Sequence, residues 1–286
     1  MDIQFLKAFA EVADSASFSR AAENLHLSQP AVSKRIAALE NQLGKSLFDR
    51  IGREVHLTEA GTALLPYAQR VIREIEDGRR AVDQLSSRIA GRLSIGTSHH
   101  IGLHRLPPVL RAYVHKYPDV DLDIHFMDSE EACLAVEQGK LELGIVTLPP
   151  EPLPRLEQRE VWPDPMSVVV APKHPLAAKK KVGVRDLSGY PALLPDEKTY
   201  THGIVRKAFR ALGLEPRVRL ATNYLETLKM LVSIGLGWSA LPDSMADETI
   251  VRLKVPEIHL TRRLGLVWHE RRSLSNAAEA MMRALR

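Results

Sequence analysis

The chain has 286 residues, 39 Lys and Arg against 35 Asp and Glu, a formal net charge of +4 and one cysteine. At ~100–200 residues per domain this length accommodates two or three domains, while the lack of a long apolar run and the start "MDIQFLKAFAEVAD" argue against a membrane span or an export signal and for a cytoplasmic protein with no membrane partner. The lone Cys133 excludes an intramolecular disulfide, a multi-cysteine zinc site and a peroxide sensor working through a cysteine pair.

Net charge alone says nothing about nucleic acid, because residues 1–90 hold 12 basic and 12 acidic side chains. Locally the balance differs: Ser28–Arg53 carries Lys34, Arg35, Lys45, Arg50 and Arg53 against Glu40 and Asp49. Within "SFSRAAENLHLSQPAVSKRIAALENQLG" two helices are predicted. Phe18, Ala21, Ala22 and Leu25 form one apolar stripe, and Val32, Ile36, Leu39 and Leu43 form another. Ser28 is the expected N-cap of the second helix, with Pro30 tolerated in its first turn. Opposite the Val/Ile/Leu stripe lie Pro30, Ser33, Lys34 and Ala37, with Gln29 at the leading end. A solvent-facing helix would usually carry long charged residues there, whereas a helix entering a DNA major groove needs small ones and a few readers. A plain helical hairpin has the same periodicity.

The next segment, "SLFDRIGREVHLT", alternates over Leu47–Arg50 and Val55–Leu57 around a tip that holds Arg53, which is the pattern of a β-hairpin wing. Arg50 and Arg53 are candidates for contact with a DNA backbone or minor groove. From Thr58 onward a long helix is expected, with Leu64, Ala68, Val71, Ile75, Gly78, Val82, Leu85 and Ile89 spaced as a heptad seam running roughly 38 Å. Such a seam asks for a partner helix, most simply that of a second subunit; packing against the chain's own domains is the alternative.

Taken together, "FLKAFAEVADSASFSRAAENLHLSQPAVSKRIAALENQLGKSLFDRIGREVHLTEAGTALLPYA" resembles the signature of the LysR-type transcriptional regulators. The resemblance implies a winged helix-turn-helix over 1–58, a linker or dimerisation helix over 59–90, and a two-lobed α/β effector-binding domain of solute-binding-protein type over 91–286. Lobe I is expected at about 91–160 and 264–286, and lobe II at about 161–263. The implied partners are a double-stranded DNA operator, a small polar or anionic effector, a second subunit and the tetramer that the family often forms, with RNA polymerase a further candidate.

The remaining residues carry their own pattern. Strands at Leu93–Thr97, Val120–Phe126 and Leu143–Val146 alternate with helices near Leu106–Lys116 and Glu130–Gln138, and so predict a mostly parallel sheet. A second α/β unit begins near "MSVVVAP", and the strand Leu264–Trp268 and helix Asn276–Leu285 are expected to return to the first. The cleft between the two should be lined by strand-to-helix turns holding Ser98, His99, His100, Ser129, Thr201, His202 and Asn223, where free N–H groups, hydroxyls and imidazoles suit a small carboxylate or similar polar ligand. Helix capping is the alternative role for these hydroxyls. No cofactor motif appears. His99, His100, His104 and His202 can approach one another, but without a carboxylate-supported spacing, so no metal site is assigned and a metal-responsive regulator stays an alternative. A pure solute receptor leaves the winged helix unexplained, and an enzyme would need a nucleophile and base that the sequence does not offer. Cys133, among Ala132, Leu134 and Ala135, is expected to be a buried inert thiol, and Lys179–Lys181 a solvated loop.

Overall fold

A computed structural model describes residues 1–51, 54–83 and 88–285, without the side chains of Arg50, Ile51, Glu54, Ala81 and Asp83. It divides into two compact units, Met1–Ser86 and Ser87–Arg286.

The first unit is built from α1 (Ile3–Ser15), α2 (Phe18–Asn24), α3 (Gln29–Leu43), β1 (Phe48–Ile51), β2 (Glu54–Leu57) and α4 (Glu59–Asp83). Each of the first three helices starts on a capping side chain. Asp2, Ser17 and Ser28 accept the N–H groups of Gln4, Arg20 and Ala31, respectively, and α3 stops at Gly44, whose φ of 63° suits a residue without a Cβ. Val32, Ile36 and Leu39 are fully buried against Phe9, Val12, Phe18 and Ala21, so the apolar stripe seen in the sequence is the core-facing side of α3. The Glu40 carboxylate accepts from the Leu47 and Phe48 amides (2.7 and 3.4 Å), and this ties the end of α3 to the antiparallel β1–β2 hairpin. Thr58 opens α4 by accepting the Gly61 amide at 3.0 Å. A Cβ on Gly61 would lie 2.2 Å from the Leu47 carbonyl oxygen, so only glycine lets α4 pass the start of the wing this closely.

The second unit contains β3 (Gly91–Thr97), α5 (His99–His104), α6 (Leu106–Lys116), β4 (Val120–Phe126), α7 (Ser129–Glu137), β5 (Leu143–Thr147), β6 (Leu156–Val170), α8 (Val184–Ser188), β7 (Ala192–Leu194), α9 (Tyr200–Arg210), β8 (Val218–Ala221), α10 (Leu225–Ser233), β9 (Ser239–Pro242), β10 (Val251–Arg252), β11 (Leu260–His269) and α11 (Asn276–Ala284). Its main sheet runs β10-β6-β11-β5-β3-β4, with β9 also on β6. The expected mostly parallel sheet is corrected to a mixed one: β3 pairs with β4 and β5 in parallel, whereas β6 and β11 pair antiparallel along ten residues of β11. The reason is connectivity. β6 carries the chain from one lobe to the other and β11 brings it back, so the two must run in opposite directions. Their register shifts at Leu264/Gly265, where a Cβ on Gly265 would stand 2.2 Å from the Arg159 carbonyl oxygen.

Lobe I packs Leu93, Ile95, Tyr113, Leu143 and Leu266 with α11 on one face of the sheet, and Cys133, Val136, Val146 and Val267 on the other. Lobe II is built around Trp238 stacked on Phe209 at 5.4 Å. Cys133 is buried, and burial pushes its thiol up to about 12, as suits an inert core residue. Lys179, Lys180 and Lys181 are exposed. Among the described residues no helix is long and apolar enough to cross a membrane.

Candidate functional site

The side of α3 facing away from its core leaves Gln29, Pro30, Lys34 and Ala37 exposed and Ser33 half-buried. It is a short-side-chain surface on a rigid helix. Arg50 lies on β1, but its side chain, like the whole of Arg53, falls outside the described residues.

Along α4 the apolar seam divides. Leu64 and Ala68, with Leu65 and Ile72, pack into the core of their own unit. Leu64, half-buried, thus packs within its own unit, where α4 lies against α1. Val71, Ile75 and Val82 remain 43%, 44% and 67% exposed, flanked by exposed Tyr67. Leu85 lies outside the described residues, and Ile89 packs in the lobe I core.

The interlobe cleft draws its residues from both lobes. Its cavity of about 40 Å³ is bordered by Ser98, His100, Asp128, Ser129, Glu130 and Thr147 from lobe I and by Thr201, Asn223 and Arg262 from lobe II and the crossing strand. Room of this size suits a few waters or one small polar group. Several contacts tie the lobes across it. The Tyr200 amide, the first of α9, donates to the Glu130 carboxylate. The Asn223 amide nitrogen donates to Asp128 at 2.6 Å, the His99 ring packs on Tyr224 at 4.8 Å, and His104 Nε2 meets Glu226 Oε1 at 2.9 Å.

Charge is buried deepest under the cavity. Arg262 donates from Nε and Nη2 to one oxygen of Asp164 (2.9 and 2.5 Å), Arg105 donates to the other at 3.1 Å, and Arg262 Nη1 reaches the Thr201 hydroxyl at 3.3 Å. Burial lowers the Arg262 pKa. Burial, and then the Arg262 charge, bring His100 down to about 4. Burial raises Glu130. Burial also pulls Glu226 upward, but the backbone N–H at the start of α10 and His104 outweigh it and hold the carboxyl below its ordinary value.

The model of the LysR substrate-binding domain matches residues 86–286, and that of the lysR-family bacterial regulatory helix-turn-helix matches residues 3–62. The chain belongs to the LysR family of transcriptional regulators. Among its relatives, an uncharacterised helix-turn-helix regulator of Azotobacter vinelandii is 64% identical over 108 residues, covering 38% of this chain and 75% of the relative. The uncharacterised regulator YfeR of Shigella flexneri is 30% identical over 286 residues, covering 98% and 92%. In fold, a full-length cysteine-to-aspartate variant of OxyR from Pseudomonas aeruginosa superposes with a TM-score of 0.73 at 24% identity, covering 100% and 98% of the two chains. This LysR-type protein is thus a DNA-binding transcriptional regulator with an effector-binding domain.

Of the effector residues expected from sequence, Ser98, His100, Ser129, Thr201 and Asn223 border the cavity. Two of the expected residues lie outside that lining: His99 is exposed, stacked on Phe126 and tilted against Tyr224, and His202 turns Nδ1 to the Pro195 carbonyl at 2.8 Å. Several of the hydroxyls also have the capping or bridging role weighed as the alternative. Ser98 caps α5, and Ser129 accepts the Thr147 amide at 3.0 Å. Sequence reasoning placed Asp128 on the turn that holds Ser129, and missed Arg262, Asp164, Glu130 and Glu226. The available signal was an arginine pair, Arg262-Arg263, running straight into the apolar "LGLVW". Starting the last strand at Leu264 rather than Leu260 left it outside the sheet.

Proposed function

We propose that this LysR-type regulator reads its operator with Gln29, Pro30, Ser33 and Lys34 of α3, helped by Arg50 and Arg53 of the wing. In this reading two copies pair through the stripe Val71, Ile75, Val82 and Leu85, and a small carboxylate-bearing effector enters the interlobe cavity. One observation carries the choice of effector. The cavity already holds a carboxylate, that of Glu130, on the first N–H of α9, beside the Thr201 hydroxyl and the Arg262 guanidinium. A ligand carboxylate uses the same donors by displacing it. Asp128 and Asn223 then offer an acceptor and a donor to the ligand's other end. The effector shifts the lobe equilibrium by its differential affinity for the two lobe positions, and paired winged domains report the shift on DNA. No catalytic role is assigned to any residue, and the protein acts in the cytoplasm, where its DNA is.

The test is operator binding by fluorescence anisotropy, first without and then with candidate carboxylic acids. Gln29→Ala should lose about 1–3 kcal/mol, confined to one base-pair position. Val71→Glu with Ile75→Glu should leave monomers and weaken DNA binding, since two half-sites are read together only by a joined pair. Ser98→Ala with Thr201→Val should keep basal affinity and lose the ligand response. An unchanged response in that double variant would move the effector out of the cavity.

A further inference from the structure

Beside the effector cavity, three side chains from two lobes converge in a way that its polar lining does not require. His100 and His104 stand four residues apart on α5 of lobe I, hence on one face, and Glu226 lies in the first turn of α10 of lobe II. Their nearest ligand atoms all lie within 4.8 Å of one another: His104 Nε2 is 2.9 Å and His100 Nδ1 3.6 Å from the same Glu226 oxygen. An ion pair between His104 and Glu226 accounts for two of the three. It does not account for His100, which is 3% exposed and has no hydrogen-bond partner among the described residues at either ring nitrogen. A buried polar ring left unsatisfied on both sides is rare and costly, and one of its nitrogens faces a carboxylate and a second imidazole.

We propose that His100, His104 and Glu226 form a three-ligand site for a divalent transition-metal ion of the zinc class, which fastens lobe I to lobe II. Two imidazoles and one carboxylate are a borderline donor set suited to such an ion, and three protein ligands leave its fourth position open. Zinc bonds of about 2.0–2.1 Å place tetrahedral ligand atoms roughly 3.3 Å apart, so the present separations need only small side-chain rotations to close on an ion. The nearby Arg262 cation is already balanced by its two bonds to Asp164. Because the ligands come from both lobes, a bound ion stabilises the lobe position in which they meet, in proportion to its preference for that position. The site rests on these three side chains and not on the choice of effector.

Calorimetry with Zn2+ alone and visible absorption with Co2+ alone, on the full chain without effector, test it. Wild type should take one ion per chain, show ligand-field bands of four-coordinate Co2+, and gain thermal stability with Zn2+. His104→Gln and Glu226→Gln change side chains 44% and 38% exposed, so the fold is kept while affinity falls by at least ~10-fold, since even outer partners of metal ligands cost about that much. His115→Gln, on the exposed face of α6, should bind as wild type. No saturable Zn2+ binding by wild type, or equal binding by all four proteins, overturns the proposal. Either result leaves the carboxylate reading of the cavity standing, because Thr201→Val and Ser98→Ala report on that separately.

Discussion

The outer face of α3 and the interlobe cleft both present short polar side chains, yet the first is built toward water and the second away from it. On α3 the residues proposed to read DNA need no partners of their own. The buried Val32, Ile36 and Leu39 behind them fix the helix, and Gln29, Ser33 and Lys34 stay on its outer side, two of them exposed and Ser33 half-buried. In the cleft almost every polar group is already committed to another: Arg262 to Asp164 and Thr201, Asn223 to Asp128 and to the Asp196 amide, Ser129 to Thr147. A surface of the first kind binds by addition and one of the second kind by exchange. Substitutions should therefore cost binding alone on α3, and fold as well as binding in the cleft.

The largest effect is expected where that contrast is sharpest. Arg262→Leu leaves Asp164, 1% exposed, with only Arg105, and should lower stability by about 3 kcal/mol in urea unfolding; Arg262→Leu with Asp164→Leu should recover part of it. A loss under about 1 kcal/mol for the single variant would mean that buried charge does not hold the cleft together. Next comes Gly61→Val, which drives a side chain onto the Leu47 carbonyl and should cost about 1–3 kcal/mol in the first unit while leaving effector-domain hydrogen exchange unchanged. Ser28→Ala removes the α3 cap and should cost about 1 kcal/mol, with operator affinity falling because the reading helix frays at its leading end. Smallest in stability is Ser33→Ala, expected within about 0.5 kcal/mol of wild type by the same measurement, yet losing discrimination at one operator position. A large stability loss there would erase the distinction between the two regions.

The same distinction explains what the sequence disclosed. The winged helix is a local object: its stripes repeat every three or four residues, its caps stand next to the helices they start, and Gly44 ends α3 where the pattern ends. Strand and helix order in the effector domain was legible for the same reason, down to Leu106–Lys116 and Val120–Phe126. What was not legible depended on distance along the chain. Arg262 meets Asp164 across 98 residues and His104 meets Glu226 across 122, and no window of the sequence contains either pair. Antiparallel pairing of β6 with β11 was hidden likewise, because two segments about a hundred residues apart set it. His202 shows the opposite case. Its place at the start of α9 was right, but whether an imidazole there turns to the cavity or to the Pro195 carbonyl is a rotamer choice made by packing.

If the effector takes the place proposed for it, the seat of Glu130 on the Tyr200 amide bears on how much effector the regulator needs. A carboxylate carried on the protein is a permanent competitor, and its strength is set by tethering: groups joined by a short flexible link compete as though present at on the order of millimolar concentration. A free acid using the same donors must outbid that local concentration, so its apparent affinity is weaker than its contacts alone would give. The regulator would then ignore trace amounts of its metabolite and respond when the pool becomes abundant, with Glu130→Gln moving the threshold downward.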